Sequence, residues 1–319
     1  MTNPIITATG AYLPARLVKN ADLPPQLETS DEWIVTRTGI HQRHFAAAGE
    51  NTSHLAANAA KQALANAGRK PEEIDLIVLA TTTPDETMPA TAAAVQDMIG
   101  AKHAVAFDVQ AACAGFVYAL SIADNFIRTG AVKRALVIGA EVFSRVLDWT
   151  DRSTCVLFGD GAGAAVVEAS EEKGRGVQAV RLHTDGSLRH LIRTDGGVAS
   201  TQSAGLFRMD GKEVFRHAVP LMAGVTEEAL AACGRTVADL DWLVPHQANQ
   251  RILSAVAKKL EISEEKVISA VGIHANTSAA SVPLALHHGI TGGKIKKNNL
   301  VALTALGAGL AWGSAIVVW

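Results

Sequence analysis

The sequence predicts an α/β protein made of two similar halves. Apolar runs typical of covered strands, such as IDLIVLAT at 74–81 and RALVIGA at 134–140, alternate with amphipathic helical stretches such as 51–68. ALANAGRKPEEIDLIVL, from Ala63 to Leu79, also aligns without gaps on ALAACGRTVADLDWLVP, from Ala229 to Pro245. Alternation of this kind favours an α/β fold with parallel strand pairs, and the internal match indicates a duplication.

In chain order, the first half opens with the strand and turn ITATGAYLP, followed by the polar segment TSDEWIVTRTGI. Helices are predicted at 51–68 and about 90–100, and strands at 74–81, 134–140 and 161–168. Residues 104–130 predict a short buried strand, a tight turn carrying Cys113, and a long apolar helix that ends near Gly130.

A second match supports the duplication. GAVKRALVIG from Gly130 parallels GKIKKNNLVAL from Gly293, each a basic turn leading into a buried strand. We therefore expect an N-terminal half at 1–170 and a C-terminal half at 171–319, joined by the charged, glycine-containing segment 168–176. Equivalent loops from two such halves can converge on one cleft.

Composition narrows the function classes. The chain has 319 residues, 48% of them hydrophobic, and a formal net charge of -2, so no basic excess indicates a nucleic-acid partner. Its three cysteines are odd in number and widely spaced, which argues against a disulfide framework and favours a reducing compartment. The spacing of cysteines and histidines does not indicate a metal site.

The termini and apolar runs predict a cytoplasmic protein without membrane contact. The N-terminus enters a strand pattern at once and lacks the basic region of a signal peptide. The longest apolar run, in the helix after Cys113, is interrupted by Asp124 and Arg128 and is too short to span a bilayer.

Cys113 is the candidate nucleophile. Small residues surround it in QAACAGF, so that a substrate can reach the sulfur and the backbone can turn sharply. At the start of a helix, unpaired N–H groups and the helix dipole favour the thiolate, and we expect that form here. A cysteine that is simply a small buried hydrophobe is the alternative, and position alone does not separate the two.

Three segments of the second half could complete a site. His246 follows the strand DWLVP, where α/β folds place ligands, although a structural histidine capping the turn fits equally well. Asn276 lies in a turn of small residues, and Gly307-Ala308-Gly309 forms a loop between two apolar strands. A turn-stabilising asparagine and a plain tight turn are the respective alternatives.

Four motifs in order, AACAGFVYAL, VPHQANQRI, ANTSAASVPLAL and GAGLAWGSA, resemble those of the β-ketoacyl-acyl-carrier-protein synthase III family of the thiolase superfamily. The resemblance extends over essentially the whole chain. It implies a thiolase-like α/β fold of two duplicated βαβαβ-type halves in a five-layered α-β-α-β-α arrangement, with the nucleophile in the first half and His246 and Asn276 in the second.

The resemblance also implies a decarboxylating Claisen condensation. Cys113 would take an acyl group from acyl-CoA, with an oxyanion hole made by the backbone N–H groups of Cys113 and Ala308. Malonyl-acyl-carrier protein would then lose CO2, and His246 and Asn276 would stabilise the enolate. This chemistry requires neither a metal nor a redox cofactor.

In two places the sequence departs from the family pattern. Ala275 precedes the asparagine where the family commonly has glycine, and Ala308 replaces the middle of three glycines. Alanine disfavours positive φ by roughly 1 kcal/mol or more, so we expect ordinary φ or some strain at Ala308.

The same resemblance assigns binding residues and a homodimer. Coenzyme A would contact Trp33, Arg37, Arg152, Phe158, Phe215 and Asn249; the carrier protein would dock on Arg216, Arg251, Lys258 and Lys259. Met88 would limit the acyl pocket of the partner subunit, where the family usually has a bulkier aromatic, so a primer somewhat longer than acetyl is expected. Ordinary core packing of the aromatics and a solvated basic face are the alternatives.

Other readings stay open from the sequence. A relative in secondary metabolism could use the same three side chains on another acyl-CoA, and a Cys–His–Asn hydrolase has the same residue types. The stretch GDGAGAA at 159–165 superficially resembles a phosphate loop, which would suit a non-catalytic nucleotide-binding domain. The natural primer, the particular carrier protein and any feedback regulation are not set by these patterns.

Overall fold

A computed structural model describes residues 3–319 of the chain. Its strands are β1 (Asn3–Tyr12), β2 (Arg16–Lys19), β3 (Gln42–Phe45), β4 (Leu76–Ala80), β5 (Val105–Val109), β6 (Arg134–Glu141), β7 (Gly161–Ser170), β8 (Gly176–Thr184), β9 (Ile192–Thr194), β10 (Phe207–Met209), β11 (Trp242–Pro245), β12 (Leu300–Gly307) and β13 (Ala311–Val318). Its α-helices are α1 (Asp31–Thr38), α2 (Thr52–Ala67), α3 (Thr91–Ile99), α4 (Gly115–Arg128), α5 (Arg152–Cys155), α6 (Val198–Thr201), α7 (Gly211–Ala232), α8 (Gln250–Lys259), α9 (Val271–His274) and α10 (Ser281–Thr291). Within residues 3–319, no helix is both long enough and apolar enough to cross a membrane.

Two mixed sheets form the framework. The first has the strand order β1-β7-β6-β4-β5, with parallel pairs on both sides of β4 and antiparallel pairs on both sides of β7. The second has the order β11-β12-β13-β8, in which only β11 and β12 are parallel among its described pairs. The two sheets have the same strand order and the same pairing directions when β8 is matched to β1, β13 to β7, β12 to β6 and β11 to β4.

The internal sequence matches fall on these equivalent elements. The first joins the end of α2 to β4 in one half and the end of α7 to β11 in the other, and the second leads into β6 and β12. The second sheet has no full counterpart of β5 in the described chain: a single parallel bridge between Leu243 and Val267 stands in its place. Because β7 ends at Ser170 and β8 begins at Gly176, the strands of each sheet fall on one side of the expected division at residue 170.

Helices and sheets stack in five layers. Helix α2 covers the outer face of the first sheet, and α7 covers the outer face of the second. Helices α4 and α10 lie between the sheets, and each touches strands of both. Side chains such as Phe116 and Leu120 of α4 are fully buried there because they meet apolar residues on each side. The expected five-layered thiolase-like α/β fold is thereby confirmed.

Strand β5 differs from its expectation. It is an edge strand, and its side chains are half-buried to exposed, with Val105 59% exposed. The prediction of a buried strand before Cys113 is wrong, because the run of apolar letters does not reveal that only one neighbour, β4, pairs with it. One side of β5 therefore offers unpaired backbone groups beside an exposed apolar side chain.

The glycine-rich stretch at 159–165 is not a phosphate loop. Residues from Gly161 onward belong to β7, an interior strand of the first sheet that is buried along most of its length. A Cβ at Gly163 would lie 2.7 Å from Pro283 Cβ, so glycine is required there for α10 to pack closely against the sheet. The reading as a nucleotide-binding loop is wrong for this reason.

Candidate active site

The loops that follow β4, β5 and β6 in the first half and β11 and β12 in the second meet at one cavity of about 570 Å³. Cys113, which follows β5, lines it together with His246, which follows β11, and Ala308, which follows β12. Asn276, in the loop between α9 and α10, lines it as well. The structure thus brings together the three side chains and both backbone positions singled out from the sequence.

The turn that presents Cys113 is tightly held. Ala112 has φ +46° and begins a one-turn 3-10 helix over Ala112–Ala114, after which α4 starts at Gly115. Gly307 lies directly against it, since a Cβ there would be 2.6 Å from the Cys113 nitrogen. Any other residue at 307 would push the terminal loop away from the thiol. The backbone before Ala308 is therefore fixed beside that of Cys113, as a two-donor oxyanion hole requires.

Ala308 resolves one question that the sequence raised. Its φ lies outside the left-handed region, so alanine fits there without a positive-φ cost. Of the two expected alternatives, ordinary φ is the one observed. The strain is found instead at the other departure from the family pattern, Ala275.

The expectation that Cys113 favours the thiolate is wrong for this structure. Burial raises the pKa of the Cys113 thiol to about 12, the negative charge of Glu141 adds to the rise, and the Sγ–Ser278 Oγ hydrogen bond of 3.6 Å offsets only part of it. The desolvation of a buried thiolate thus raises the pKa by more than the helix N-terminus lowers it. At neutral pH the resting group is a thiol.

His246 is held as a neutral donor. Ser281 Oγ lies 2.5 Å from His246 Nδ1 and accepts a hydrogen bond from the Gln247 N–H at 3.3 Å. We assign the tautomer in which the Ser281 hydroxyl donates to Nδ1 and the ring proton is on Nε2. Burial lowers the pKa of His246 to about 3, so the imidazole stays neutral and can offer Nε2–H at working pH.

Buried histidines make the fold sensitive to acid. His246, with a pKa of about 3, and His274, with a pKa lowered to about 4 by burial and by the nearby histidines, both stay neutral where the unfolded chain takes up protons. The unfolded state binds more protons below about pH 6.5, so the free energy of unfolding falls as pH drops toward 4. Each histidine contributes a slope of up to about 1.4 kcal/mol per pH unit.

A substitution isolates this effect. His274→Gln should reduce the fall of unfolding free energy between pH 6.5 and pH 4 by close to one proton's contribution, measured by urea unfolding across that range. His103→Gln, at an exposed histidine, is the control and should leave the slope as in the parent chain. An unchanged slope in His274→Gln would show that His274 does not stay neutral in the folded protein.

Asn276 is oriented by its neighbour. Its Oδ1 accepts a hydrogen bond from the Ser278 backbone N–H at 2.9 Å, which leaves the amide N–H groups for the cavity. The preceding Ala275 has φ +58° and ψ -162°, a region that is essentially glycine-only, and it is fully buried. Ser278 has φ +49°. Backbone strain is thus concentrated on both sides of the amide.

The strain at Ala275 leads to a stability prediction. Ala275→Gly would relieve roughly 1–3 kcal/mol of strain and would lose about 0.8 kcal/mol of buried methyl and 0.5–1 kcal/mol of backbone entropy. We expect an unfolding free energy within about 1 kcal/mol of the parent chain. Ala123→Gly, at a fully buried position inside α4, is the control and should cost about 2 kcal/mol. Equal losses in denaturant unfolding of the two variants would contradict the strain.

The residues expected to contact coenzyme A divide into two groups. Phe158, Phe215 and Asn249 line the cavity. Phe158 also stacks on Phe143, with ring centroids 4.3 Å apart, so it serves the core as well. Asn249 caps α8 by accepting the Ile252 N–H on Oδ1 at 3.0 Å, which leaves its amide N–H groups unused by the cap.

Trp33, Arg37 and Arg152 form a separate cluster outside the cavity lining. The Arg37 guanidinium carbon lies 4.5 Å from the Trp33 ring centroid and that of Arg152 lies 5.4 Å from it. Ser153, next to Arg152, lines the cavity, so the cluster stands near one of its walls. Arg152 Nη1 donates to the Glu28 carbonyl at 2.7 Å.

The four basic residues expected to dock a carrier protein lie on two packed helices. Arg251, Lys258 and Lys259 are exposed on α8, and Arg216 on α7 is 71% exposed at its side chain and near Glu213, at 3.4 Å. The Arg251 guanidinium stands 6.0 Å from the ring of Phe215, which lines the cavity. This basic patch therefore reaches the cavity wall.

Sequence reasoning gave no role to several lining residues. Arg189 and Arg193 add two cations to the cavity wall, and Ser278 stands beside the thiol. Arg189 lies in the 3-10 helix Gly186–Leu191 and Arg193 in β9, which carry no motif. Ser278 lies within the motif ANTSAASVPLAL, but only its position in space shows that it meets Cys113. Met88 does not line this cavity and is 80% exposed, so its expected role in a partner's pocket stays a prediction.

The duplicated five-layered fold and a thiol, an imidazole and an amide facing one cavity define a thiolase-like enzyme of acyl transfer. Sequence comparison specifies it further. Residues 107–186 match the family profile described as 3-Oxoacyl-[acyl-carrier-protein (ACP)] synthase III, and residues 230–319 match its C-terminal counterpart. The chain belongs to the 3-oxoacyl-[acyl-carrier-protein] synthase III family.

Full-length relatives agree. Beta-ketoacyl-[acyl-carrier-protein] synthase III of Paramagnetospirillum magneticum is 58% identical over 316 residues, 98% of each chain, and that of Rhodospirillum centenum is 57% identical, over 99% of this chain and 98% of the relative. The crystal structure of 3-oxoacyl-[acyl-carrier-protein] synthase III from Aquifex aeolicus superposes with a TM-score of 0.94 at 48% identity, covering both chains fully. The chain is therefore an acyltransferase, an initiating condensing enzyme of fatty acid synthesis, and the hydrolase reading is wrong.

Proposed function

We propose that this enzyme joins an acyl-CoA primer to malonyl-acyl-carrier protein with loss of CO2, giving 3-oxoacyl-acyl-carrier protein through an acyl group on Cys113. The single observation that carries this is the convergence of Cys113, His246, Asn276 and Ala308 on one cavity. A sulfur nucleophile, two backbone donors and two side-chain donors are what the two half-reactions need.

In the first half-reaction, the Cys113 sulfur attacks the thioester carbonyl of the primer. Charge that develops on the carbonyl oxygen is met by the N–H groups of Cys113 and Ala308, which the close contact at Gly307 holds beside each other. Collapse of the tetrahedral intermediate expels coenzyme A and leaves the primer on the sulfur.

In the second half-reaction, malonyl-carrier protein enters the same cavity. Loss of CO2 moves an electron pair into an enolate, whose oxygen is stabilised by His246 Nε2–H and by the Asn276 amide. The enolate carbon then attacks the acyl carbonyl on Cys113. Collapse of this tetrahedral intermediate breaks the C–S bond, releases 3-oxoacyl-acyl-carrier protein and returns Cys113 to the thiol with uptake of one proton. A neutral imidazole suffices as donor, and we propose that no metal or redox cofactor takes part, because each developing charge is met by an N–H group of this chain.

Surface features support the assignment of substrates. The Trp33–Arg37–Arg152 cluster offers an aromatic face and two cations, which suit the adenine and phosphates of coenzyme A. The basic patch of Arg216, Arg251, Lys258 and Lys259 suits an acidic carrier protein, and its link to the cavity through Phe215 would let a bound prosthetic arm reach Cys113.

A homodimer in the cytoplasm completes the proposal. The unpaired edge of β5, the exposed Val105 and the exposed Met88 are features that a second copy would cover. Met88 would then lie against the partner's cavity, where its flexible side chain limits the acyl pocket less than a bulkier aromatic.

The primer preference is the quantity to measure. We expect acyl-CoAs of four to eight carbons to load the enzyme at least as fast as acetyl-CoA, as measured by intact-protein mass spectrometry. We also expect malonyl-acyl-carrier protein, and not malonyl-CoA, to act as the extender. A strict preference for acetyl would refute the open pocket. Condensation with malonyl-CoA alone would refute the carrier-protein partner.

A second candidate is a priming ketosynthase of a specialised pathway. The priming beta-ketosynthase from the R1128 polyketide biosynthetic pathway shares this fold with a TM-score of 0.93 at 36% identity. Both functions use the same side chains, so they differ in primer and carrier protein. Side-by-side rates with the housekeeping carrier protein and a specialised one separate them.

A further inference from the structure

The condensation mechanism does not specify which group removes the proton from the Cys113 thiol. Burial raises the pKa of this thiol to about 12, so the sulfur holds a proton at neutral pH. Within residues 3–319, the hydrogen-bond partner of the sulfur is Ser278 Oγ, and the His246 imidazole is hydrogen-bonded to Ser281. The geometry therefore directs the thiol proton toward Ser278.

Ser278 and Glu141 lie in that direction. The Cys113 thiol donates to Ser278 Oγ at 3.6 Å, and Ser278 Oγ donates in turn to Glu141 Oε1 at 3.1 Å. Glu141, the last residue of β6, is fully buried. Donor, hydroxyl and carboxylate thus form a continuous chain in the order that a proton would follow.

The surroundings of Glu141 suit a carboxylate that accepts a proton. Its two oxygens accept hydrogen bonds from Thr82 N–H and from the hydroxyls of Thr81, Thr82 and Thr83, at 2.7 to 3.3 Å. Burial raises the pKa of Glu141, which makes its anion a stronger base than an exposed glutamate. These hydrogen bonds lower the pKa of Glu141 by less and hold its anion in place, and the charge of Glu141 acts on Cys113.

We propose that Glu141, acting through the Ser278 hydroxyl, removes the Cys113 proton during acyl transfer. As the S–C bond to the primer forms, the thiol hydrogen passes to Ser278 Oγ and the Ser278 hydrogen passes to Glu141. The C–S bond to coenzyme A then breaks and its sulfur takes up one proton from solvent, while Glu141 releases the proton that it received to solvent. Atoms and charge balance: thiol plus thioester give thioester plus thiol.

This relay rests on the proposed function and concerns the steps in which the Cys113 sulfur loses or regains its proton. The backbone at Ser278 allows a specific test, because its φ of +49° is a conformation that glycine adopts without strain. Ser278→Gly removes the hydroxyl and keeps the N–H that orients Asn276. Glu141→Gln keeps the shape of the side chain and removes the proton acceptor.

The experiment measures acylation by rapid-quench intact mass spectrometry with an acyl-CoA across the pH range. Both variants should load at neutral pH about 10²-fold or more below the parent rate. Their rates should rise with pH as hydroxide replaces the relay. Glu168→Gln is the matched control, a buried glutamate in β7 that pairs with Arg69 and Arg134. It should keep the parental rate and pH profile.

The opposite result has a definite meaning. If Glu141 acts only as a nearby charge, Glu141→Gln removes a repulsion that raises the pKa of Cys113, and acylation becomes equal to or faster than that of the parent chain. That outcome overturns the relay. If instead the parent chain itself fails to load, the proposed function fails first.

Decarboxylation separates a relay from general disruption. The unloaded variants should release CO2 from malonyl-acyl-carrier protein within about threefold of the parental rate, since decarboxylation itself moves no thiol proton. An equal loss in loading and in decarboxylation would show a disordered site and contradict the relay.

Discussion

Cys113→Ala is expected to abolish loading by every acyl-CoA and to reduce condensation by at least about 10³-fold, since Cys113 is the one thiol that lines the cavity within residues 3–319. Decarboxylation of malonyl-acyl-carrier protein should persist, because His246 and Asn276, which stabilise the enolate, are untouched. The two activities are measured separately, as CO2 release and as 3-oxoacyl product.

Cys233→Ala provides the matched control. Cys233 is a partly buried thiol at the end of α7 that donates to the Leu230 carbonyl at 3.2 Å and is absent from the cavity lining. It should load and condense like the parent chain. Residual loading of Cys113→Ala that supports condensation would place the acyl group on another residue.

His246→Ala has the next largest expected effect. Loss of one preorganised donor to an oxyanion costs about 3–4 kcal/mol of barrier, so condensation from preloaded enzyme should fall by roughly 10²- to 10³-fold. Loading of Cys113 should change by no more than a few-fold, because the thiol is bonded to Ser278 and not to the imidazole. Single-turnover rates of the two half-reactions supply both numbers.

Ser281→Ala extends this test to the tautomer. Without the hydroxyl at Nδ1, the imidazole is no longer restricted to a proton on Nε2, and condensation should fall by about 10- to 100-fold, a loss typical of a supporting partner. If His246→Ala instead lost loading as severely as condensation, His246 would be the base for Cys113. That would contradict the assigned tautomer.

Much of the fold could be predicted because the local sequence patterns agree with the secondary structure and burial that each segment has in the tertiary structure. Helix α2 starts after Asn51 and ends at Gly68 in a left-handed conformation, as capping and glycine rules require. The buried runs became β4, β6 and β7 because helices cover both faces of their sheet. The internal match predicted equivalent loops, and the cavity forms where those loops meet.

The features that could not be predicted from the sequence depend on contacts between residues that are far apart in the chain. The exposure of β5 follows from its position at the edge of the sheet, which its pattern of apolar residues does not predict. The raised pKa of Cys113 reflects burial beside Glu141, and the relay through Ser278 joins residues 137 positions apart. The strain at Ala275 likewise follows from how its loop is held, by the Asn276–Leu157 and Gly159–Asn276 backbone hydrogen bonds.

A pulse and chase on the parent chain tests the central claim most directly. Enzyme exposed to an isotopically labelled acyl-CoA is digested, and its peptides are mapped before and after addition of malonyl-acyl-carrier protein. We expect the label on the peptide containing Cys113, and then its transfer to 3-oxoacyl-acyl-carrier protein. Label on any other residue, or label that water alone removes, would contradict a primer carried by this sulfur.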